Sequence, residues 1–273
     1  MIIDKCALVI TSSVYVSAPY TVLVDPEERK KQYYDSISFF IRESPLTKII
    51  VCDNSGYRYS ESLYVLAKSR NKEIELLSFQ GNTELVANYG KGYGEGEIMQ
   101  FVLLNSILIR QVEGFLKVTG RLKLINVAEL LHRCNHRENY FMPISLIRPR
   151  FMVPKAARCC VEVRVYYTTK TFFREVLFNA HKEVRDKNTF FMEHAYHKAM
   201  AMSSTKVKCF SVPPEIIGMS GSNGWMFKER SFLKKMLIKF VSFLGYIKPI
   251  YRSSRHAKIE RTGKIKKDAP IQS

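Results

Sequence analysis

The chain has 273 residues, 46% of them apolar, which is enough for one large α/β domain with a full core and excludes wholesale disorder. Its formal charge of +18 draws polyanions, whether nucleic acid, anionic headgroups or phosphorylated substrates. The six cysteines include no CxxC pair and no zinc-type His/Cys spacing, so they read as reduced thiols in a cytosolic compartment.

The apolar start Met1–Ile10 is short and carries Asp4, which speaks against a secretory leader. No segment reaches the ~20 apolar residues a membrane span needs. The expectation is a chain neither exported nor integral to a membrane. Residues 6–11 predict a buried parallel strand ending in the polar run Thr11, Ser12, Ser13. Residues 27–43 predict a helix, with Tyr33, Ile37, Phe40 and Ile41 at helical spacing and Pro45 as its stop. Residues 48–54 predict a second strand with Asp53 at its carboxyl end, followed by a helix over 60–70 and a third strand over 74–79. This alternation predicts a parallel sheet with right-handed crossovers.

Residues 90–97 carry four glycines in seven positions, read as a flexible turn before a helix from Glu97 to Ile109. Such glycines let backbone N–H groups approach a phosphate, with Lys91 and Gly92 as the candidate contacts. The segment is neither a dinucleotide-type GxGxxG nor a Walker loop, and a mobile loop is the plainer reading. Residues 115–121 predict a fourth strand running into a turn, and 161–167 another strand. A helix is expected from Phe190 to Met202, carrying Glu193 and His194. Pro213 and Pro214 break the pattern. The small-residue loop from Met219 to Gly224, with Trp225 beside it, either closes over a ligand or simply connects to the tail.

Residues 228–267 hold thirteen Lys or Arg against Glu229 and Glu260. Phe232, Leu233, Met236, Leu237, Phe240, Val241 and Leu244 recur at helical spacing among them. This predicts a basic amphipathic C-terminal helix suited to an anionic membrane surface, or else one packed on the core with a solvated basic face. The expected organisation is a domain over 1–226 and a tail over 227–273.

In an open parallel sheet, ligands bind outside the carboxyl ends of the strands. Thr11, Ser12 and Ser13, then Asp53 and Asn54, then Thr119, Gly120 and Arg121 all fall at such ends. Each group alone can be a turn or a helix cap; their joint placement points to one crevice. Asp53 is either a base or ribose ligand or a cap on the following helix.

The glycine-rich run Gly90–Glu97, followed by Phe115-Leu116-Lys117-Val118-Thr119-Gly120-Arg121, resembles a group of bacterial glycosyltransferases with a characteristic Lys-x-Thr-Gly-Arg-Tyr stretch. Here Leu122 stands where Tyr is usual. Glu162-x-Arg164 resembles their Asp-x-Arg element, and Met192-Glu193-His194 a Glu-His pair near the acceptor. The similarity covers about residues 5–225. It implies an α/β fold with a mostly parallel central sheet flanked by helices, the GT-A-like, Rossmann-like nucleotide-diphospho-sugar transferase type. It also implies transfer of a sugar from a nucleotide-sugar donor to a saccharide or lipid-linked acceptor in capsule, O-antigen or lipopolysaccharide synthesis. The place of action would be the cytoplasmic face of the membrane, held there peripherally.

Many such enzymes hold a divalent metal with Asp-x-Asp, and this sequence contains none. Arg121 and Lys117 are the expected source of positive charge for the departing diphosphate. Metal-independent transfer is therefore favoured, with Mn or Mg left open. Glu193 is the first candidate general base and His194 the alternative, with Glu162 and Arg164 on the acceptor side. The rival readings are a nucleic-acid binder using the basic tail, a sugar nucleotidyltransferase, and a non-catalytic partner in polysaccharide assembly. No RNP, KH, zinc-finger or helix-turn-helix signature supports the first, so no nucleic acid is expected as a partner.

Overall fold

The computed structural model describes residues 2–16, 21–144 and 160–219, together with 224, 226, 227, 229 and 236. Four strands build the parallel part of the sheet: β1 (Cys6–Ser12), β2 (Lys48–Asp53), β3 (Glu73–Ser78) and β4 (Gly114–Thr119). β1 pairs in parallel with β2 on one side and β4 on the other, and β2 with β3. Further along come β5 (Leu122–Leu124), β6 (Asn139–Pro143), β7 (Val161–Thr169) and β8 (Val207–Cys209). The seven-stranded order is β3-β2-β1-β4-β7-β6-β8. A small antiparallel sheet joins β5 to β9 (Ile216–Met219), and β9 to β10 (Met226–Phe227).

The strands alternate between two cores, as period-two side chains must. Leu8, Ile10, Ile49, Val51, Leu116 and Val118 face one core. It is covered by α1 (Pro26–Glu43), α2 (Ser62–Ser69) and α6 (Val127–His132). Ala7, Val9, Ile50, Cys52 and Phe115 face the other. That one lies under α4 (Lys91–Asn105), α5 (Ile107–Arg110), α7 (Lys170–Phe172) with its π-helical continuation Phe173–Leu177, and α8 (Met192–Met202). The remaining helix, α3 (Thr83–Tyr89), leads directly into α4. Helices on both faces of a mostly parallel sheet are the expected fold class.

Local signals start and stop these elements. Asp25 caps α1 by accepting the Glu27 N–H at 3.0 Å, and Pro26 occupies the first helical position. Ser44, ahead of Pro45, is extended, which ends the helix.

One expectation is corrected. The glycine run is helical: α4 begins at Lys91, and Gly92, Gly94 and Gly96 lie inside it. Packing is the reason. A Cβ on Gly96 would sit 2.1 Å from the Cβ of His181, and one on Gly94 would sit 2.9 Å from Asn54 Nδ2. The turn is confined to Gly90, at φ +113°, where only glycine is comfortable. The strand over 161–169 pairs antiparallel with β4 and with β6, so the sheet changes direction there.

Among the described residues no helix is long and apolar enough to cross a membrane. The expected basic helix over 228–267 lies outside the described residues, apart from Glu229 and Met236.

Candidate active site

The carboxyl ends of β1, β2 and β4 bring the three polar clusters to one edge. Thr11 lies opposite Thr119 and Ser12 opposite Asp53 in the parallel register. Gly120 donates its N–H to Thr11 O at 2.9 Å, and Asn54 donates to Ser12 O at 3.3 Å. Gly120 has to be glycine, because a Cβ there would meet Thr11 O at 2.3 Å.

Asp53 is fully buried and turned inward. One carboxylate oxygen accepts from Ser12 Oγ at 2.9 Å and the Val14 N–H at 3.0 Å. The other accepts from the Ser55 N–H at 2.7 Å, Ser55 Oγ at 2.6 Å and the Tyr57 N–H at 3.3 Å. Asp53 therefore ties the loop after β1 to the loop after β2. The structure places it as an organiser of both loops, neither cap nor free ligand. It shapes a cleft of about 220 Å³ lined by Ser13, Tyr15, Val16, Asn54, Ser55, Gln80, Gly81 and their neighbours. Asn54 donates Nδ2 to Gly94 O at 3.2 Å, while its Oδ1 has no hydrogen-bond partner among the described residues.

Two arginines pack on the ring of Tyr33 in α1, and they differ. Arg29 is buried and donates to the carbonyls of Ser13, Val14 and Leu23 and to the Tyr33 hydroxyl. It holds the loop after β1 in place, and burial pulls its affinity for a proton down. Arg121 is 8% exposed, and among the described residues it makes one hydrogen bond, to Gln32 Oε1 at 3.4 Å. Its guanidinium carbon lies 6.0 Å over the ring of Tyr33, whose hydroxyl takes the Ser13 N–H at 3.0 Å. A guanidinium has five donors. Arg121 is thus a buried cation whose hydrogen-bonding capacity is mostly unused among the described residues, one ring away from a cleft-lining residue.

Lys117 is corrected as a phosphate ligand. It is fully buried on the α4 side of β4. Its ammonium forms an ion pair with Glu95 and donates to Thr119 Oγ1 at 2.9 Å and Val163 O at 2.8 Å. Three donors meet three acceptors, which leaves none for a ligand. The phosphate cradle at Lys91 and Gly92 is corrected as well. The Lys91 N–H already donates to Asp186 Oδ2 at 3.2 Å, so a carboxylate of the chain itself occupies that helix N-terminus. A Cβ on Gly92 would lie 3.0 Å from the Cβ of Met192, so the glycine serves the packing of α4 on α8.

That packing brings a charged cluster together. Glu162 and Arg164, two apart on β7, share one face and bond through both carboxylate oxygens, with Arg164 Nε at 2.6 Å. Burial pushes the Glu162 carboxyl up, but Arg164 outweighs it and holds the group below the usual carboxylate range. The Phe227 ring on β10 covers Arg164 at 4.6 Å. Glu193, in the first turn of α8, is half-buried. Burial, reinforced by the charges of Glu162 and Glu95, raises its carboxyl to about 7. His194 accepts the Phe191 N–H on Nδ1 at 3.1 Å and stacks on Phe190, which makes it part of the start of α8.

Among the described residues, no group of three or more His, Cys, Asp or Glu side chains is arranged to hold a metal ion. Glu95 was not anticipated from the sequence. Its signal is only that it faces Lys117 across twenty-two positions, which local pattern does not carry. Ser220–Asn223 and Trp225, the expected closing loop, lie outside the described residues between the paired strands β9 and β10.

No family model and no curated protein matches the chain. Among solved structures it is similar to core-mannan synthase A from Aspergillus fumigatus in its Mn/GDP form. The identity is 10% over 88% of this chain and 85% of that one, at TM-score 0.43. It is similar to the glycosyltransferase GlyE of Streptococcus pneumoniae at 10% identity, 87% of this chain, 60% of that one and TM-score 0.46. A cytidylyltransferase from Leptospira borgpetersenii aligns at 10% identity, 63% of each chain and TM-score 0.34. The chain spans less than two thirds of the GlyE and cytidylyltransferase chains. At these identities and scores the functional reading rests on the side chains of this chain alone.

Proposed function

We propose that the chain is a glycosyltransferase that moves a sugar from a nucleotide-sugar donor to a saccharide or lipid-linked acceptor in surface-polysaccharide synthesis. The observation that carries this is Arg121, a buried guanidinium with one long hydrogen bond among the described residues, which packs on the ring of Tyr33, whose hydroxyl in turn holds Ser13 at the lining of a polar cleft at the carboxyl edge of parallel strands. The cleft would take the nucleoside, with Ser13, Asn54 and Ser55 as polar contacts. Arg121 would grip the diphosphate, where a buried cation is worth most to a developing negative charge.

On the other side of β4, Glu193 would take the proton of the acceptor hydroxyl in an inverting transfer. The acceptor oxygen then bonds to the anomeric carbon as the bond to the diphosphate breaks, and the leaving charge falls to Arg121. A carboxyl titrating near 7 suits a base working at neutral pH. Glu162 and Arg164 would present a fixed ion pair to the acceptor under Phe227. With Arg121 as the cation, transfer without a divalent metal is part of the proposal; activity lost in excess chelator and restored by Mn or Mg would reject that part. The basic stretch 228–267 would hold the protein against an anionic membrane surface.

The test is transfer of labelled sugar from a panel of nucleotide sugars to membrane-derived acceptors. Glu193→Gln should abolish transfer while leaving donor binding intact. Full transfer by that variant would remove Glu193 from the role.

A further inference from the structure

The small antiparallel sheet begins beside Arg121 and ends on Arg164. Leu122 on β5 lies opposite Gly218 on β9, and Gly218 lies opposite Phe227 on β10. Two strand spacings, roughly 10 Å, therefore separate Phe227 from Leu122. Gly218 has φ +121°, and a Cβ there would meet Arg121 O at 2.7 Å, so β9 passes close to the backbone of Arg121. At the far end the Arg164 guanidinium carbon lies 4.6 Å from the centre of the half-buried Phe227 ring.

The main sheet closes the circuit. Val118 on β4 faces Val165 on β7, and one step further along that register Thr119 comes alongside Arg164. Lys117 agrees with that step, reaching both Thr119 Oγ1 and Val163 O. The Glu162–Arg164 pair thus sits at the same edge as Arg121, with β10 laid over it.

The charges on the two sides of that edge differ. Arg121 is held by the neutral amide of Gln32. Around Arg164 each cation has a carboxylate beside it: Glu162 grips Arg164, Glu95 pairs with Lys117, and Asp186 takes the Lys91 N–H. A phosphate or carboxylate entering there would meet cations whose charge is already answered. Glu162 occupies two of the five N–H groups of Arg164, whose side chain is still 30% exposed. Such a guanidinium offers donors without net charge, which suits hydroxyl groups.

We infer that Glu162, Arg164 and Phe227 form a subsite for an uncharged, hydroxyl-bearing sugar ring, with Phe227 as the positioning residue that holds the guanidinium through its π face. This rests on the proposed transfer for calling that sugar the acceptor, but not for its binding.

The experiment is a set of titrations followed by saturation-transfer NMR. The probes are neutral methyl hexosides and disaccharides, the matching uronic acids and hexose 1-phosphates. Neutral sugars should bind the unaltered protein and bind Phe227→Leu about 2- to 30-fold more weakly, the range of a cation–π contact. Phe227→Tyr should restore the affinity. Nucleotide-sugar affinity should stay level in all three proteins, which a general loosening of the fold would not give. If Phe227→Leu does not fold, Phe227→Met takes its place; if neither folds, the ring is a structural prop and the inference fails. Three other results overturn it: no binding of neutral sugars, neutral-sugar binding that ignores Phe227, or Phe227-sensitive binding that favours the uronic acids or phosphates. Phe227-dependent binding of neutral sugars by a protein that takes no nucleotide sugar would keep the subsite and sink the transferase reading.

Discussion

The guanidinium of Arg121 rests on the ring of Tyr33, and the hydroxyl of that tyrosine reaches the backbone of Ser13. One aromatic side chain of α1 therefore connects a cation at the end of β4 with the loop that lines the cleft at the end of β1.

Arg121→Met keeps the apolar stem of the side chain but removes the charge. Affinity for a nucleoside diphosphate sugar should fall about 10- to 100-fold, the worth of a desolvated charge-assisted contact. Arg121→Lys should lie between, since an ammonium lacks the two-pronged fit to phosphate oxygens. Titration calorimetry on both variants reads this. Equal affinities in all three proteins would remove Arg121 from the site.

Asp53→Asn tests the organising role of the buried carboxylate. Asn keeps one acceptor oxygen and turns an amide toward N–H groups that were paired. Unfolding in urea should show a loss of about 2–3 kcal/mol. If stability were unchanged, Asp53 would be available for a ligand after all.

Gly96→Ala separates packing from flexibility. Helix propensity alone favours alanine by roughly 1 kcal/mol. The added methyl, however, would lie 2.1 Å from the His181 Cβ and 2.2 Å from its Cγ, far inside van der Waals contact. Overpacking of about 1–3 kcal/mol should win, giving a lower melting temperature. A rise would mean that the helix and His181 part easily.

Stability should depend on pH through Glu193. Its folded-state pKa of about 7 lies above the ordinary carboxylate value of 4.5. The folded state therefore holds the proton longer, and this contribution is complete below about pH 4.5 and lost as pH rises through 7. His181, lowered to about 4, acts oppositely: its contribution is present above 6.5 and lost as pH falls toward 4. The difference between Glu193→Gln and the unaltered protein isolates the first. The variant should gain relative stability from pH 5 to pH 8 in thermal unfolding. A flat difference would show that Glu193 ionises freely.

The strands β1, β2, β4 and β7 were legible in the sequence because each is largely buried on both faces, while the partly exposed edge strand β3 was legible from its place in the strand–helix alternation. The three-residue β5 and β8 were not, because their pairing is made by partners far along the chain. The convergence of Ser13, Asn54 and Arg121 on one edge followed from strand ends alone. The inward turn of Asp53 did not, since its five donors come from two loops. The glycines of α4 were misread for the same reason: what makes them necessary is Met192 and His181, about a hundred residues away. Lys117 carried a phosphate-binding pattern, and only the tertiary partner Glu95 shows that its charge is already answered.

The most direct measurement is a thermal-shift panel of nucleoside diphosphates and their sugars against the unaltered protein and Arg121→Met. A ligand that binds only the folded state raises the melting temperature by mass action. At least one nucleotide sugar should raise it in the unaltered protein, with most of that rise gone in Arg121→Met. No shift with any donor, or the same shift in both proteins, would contradict the account.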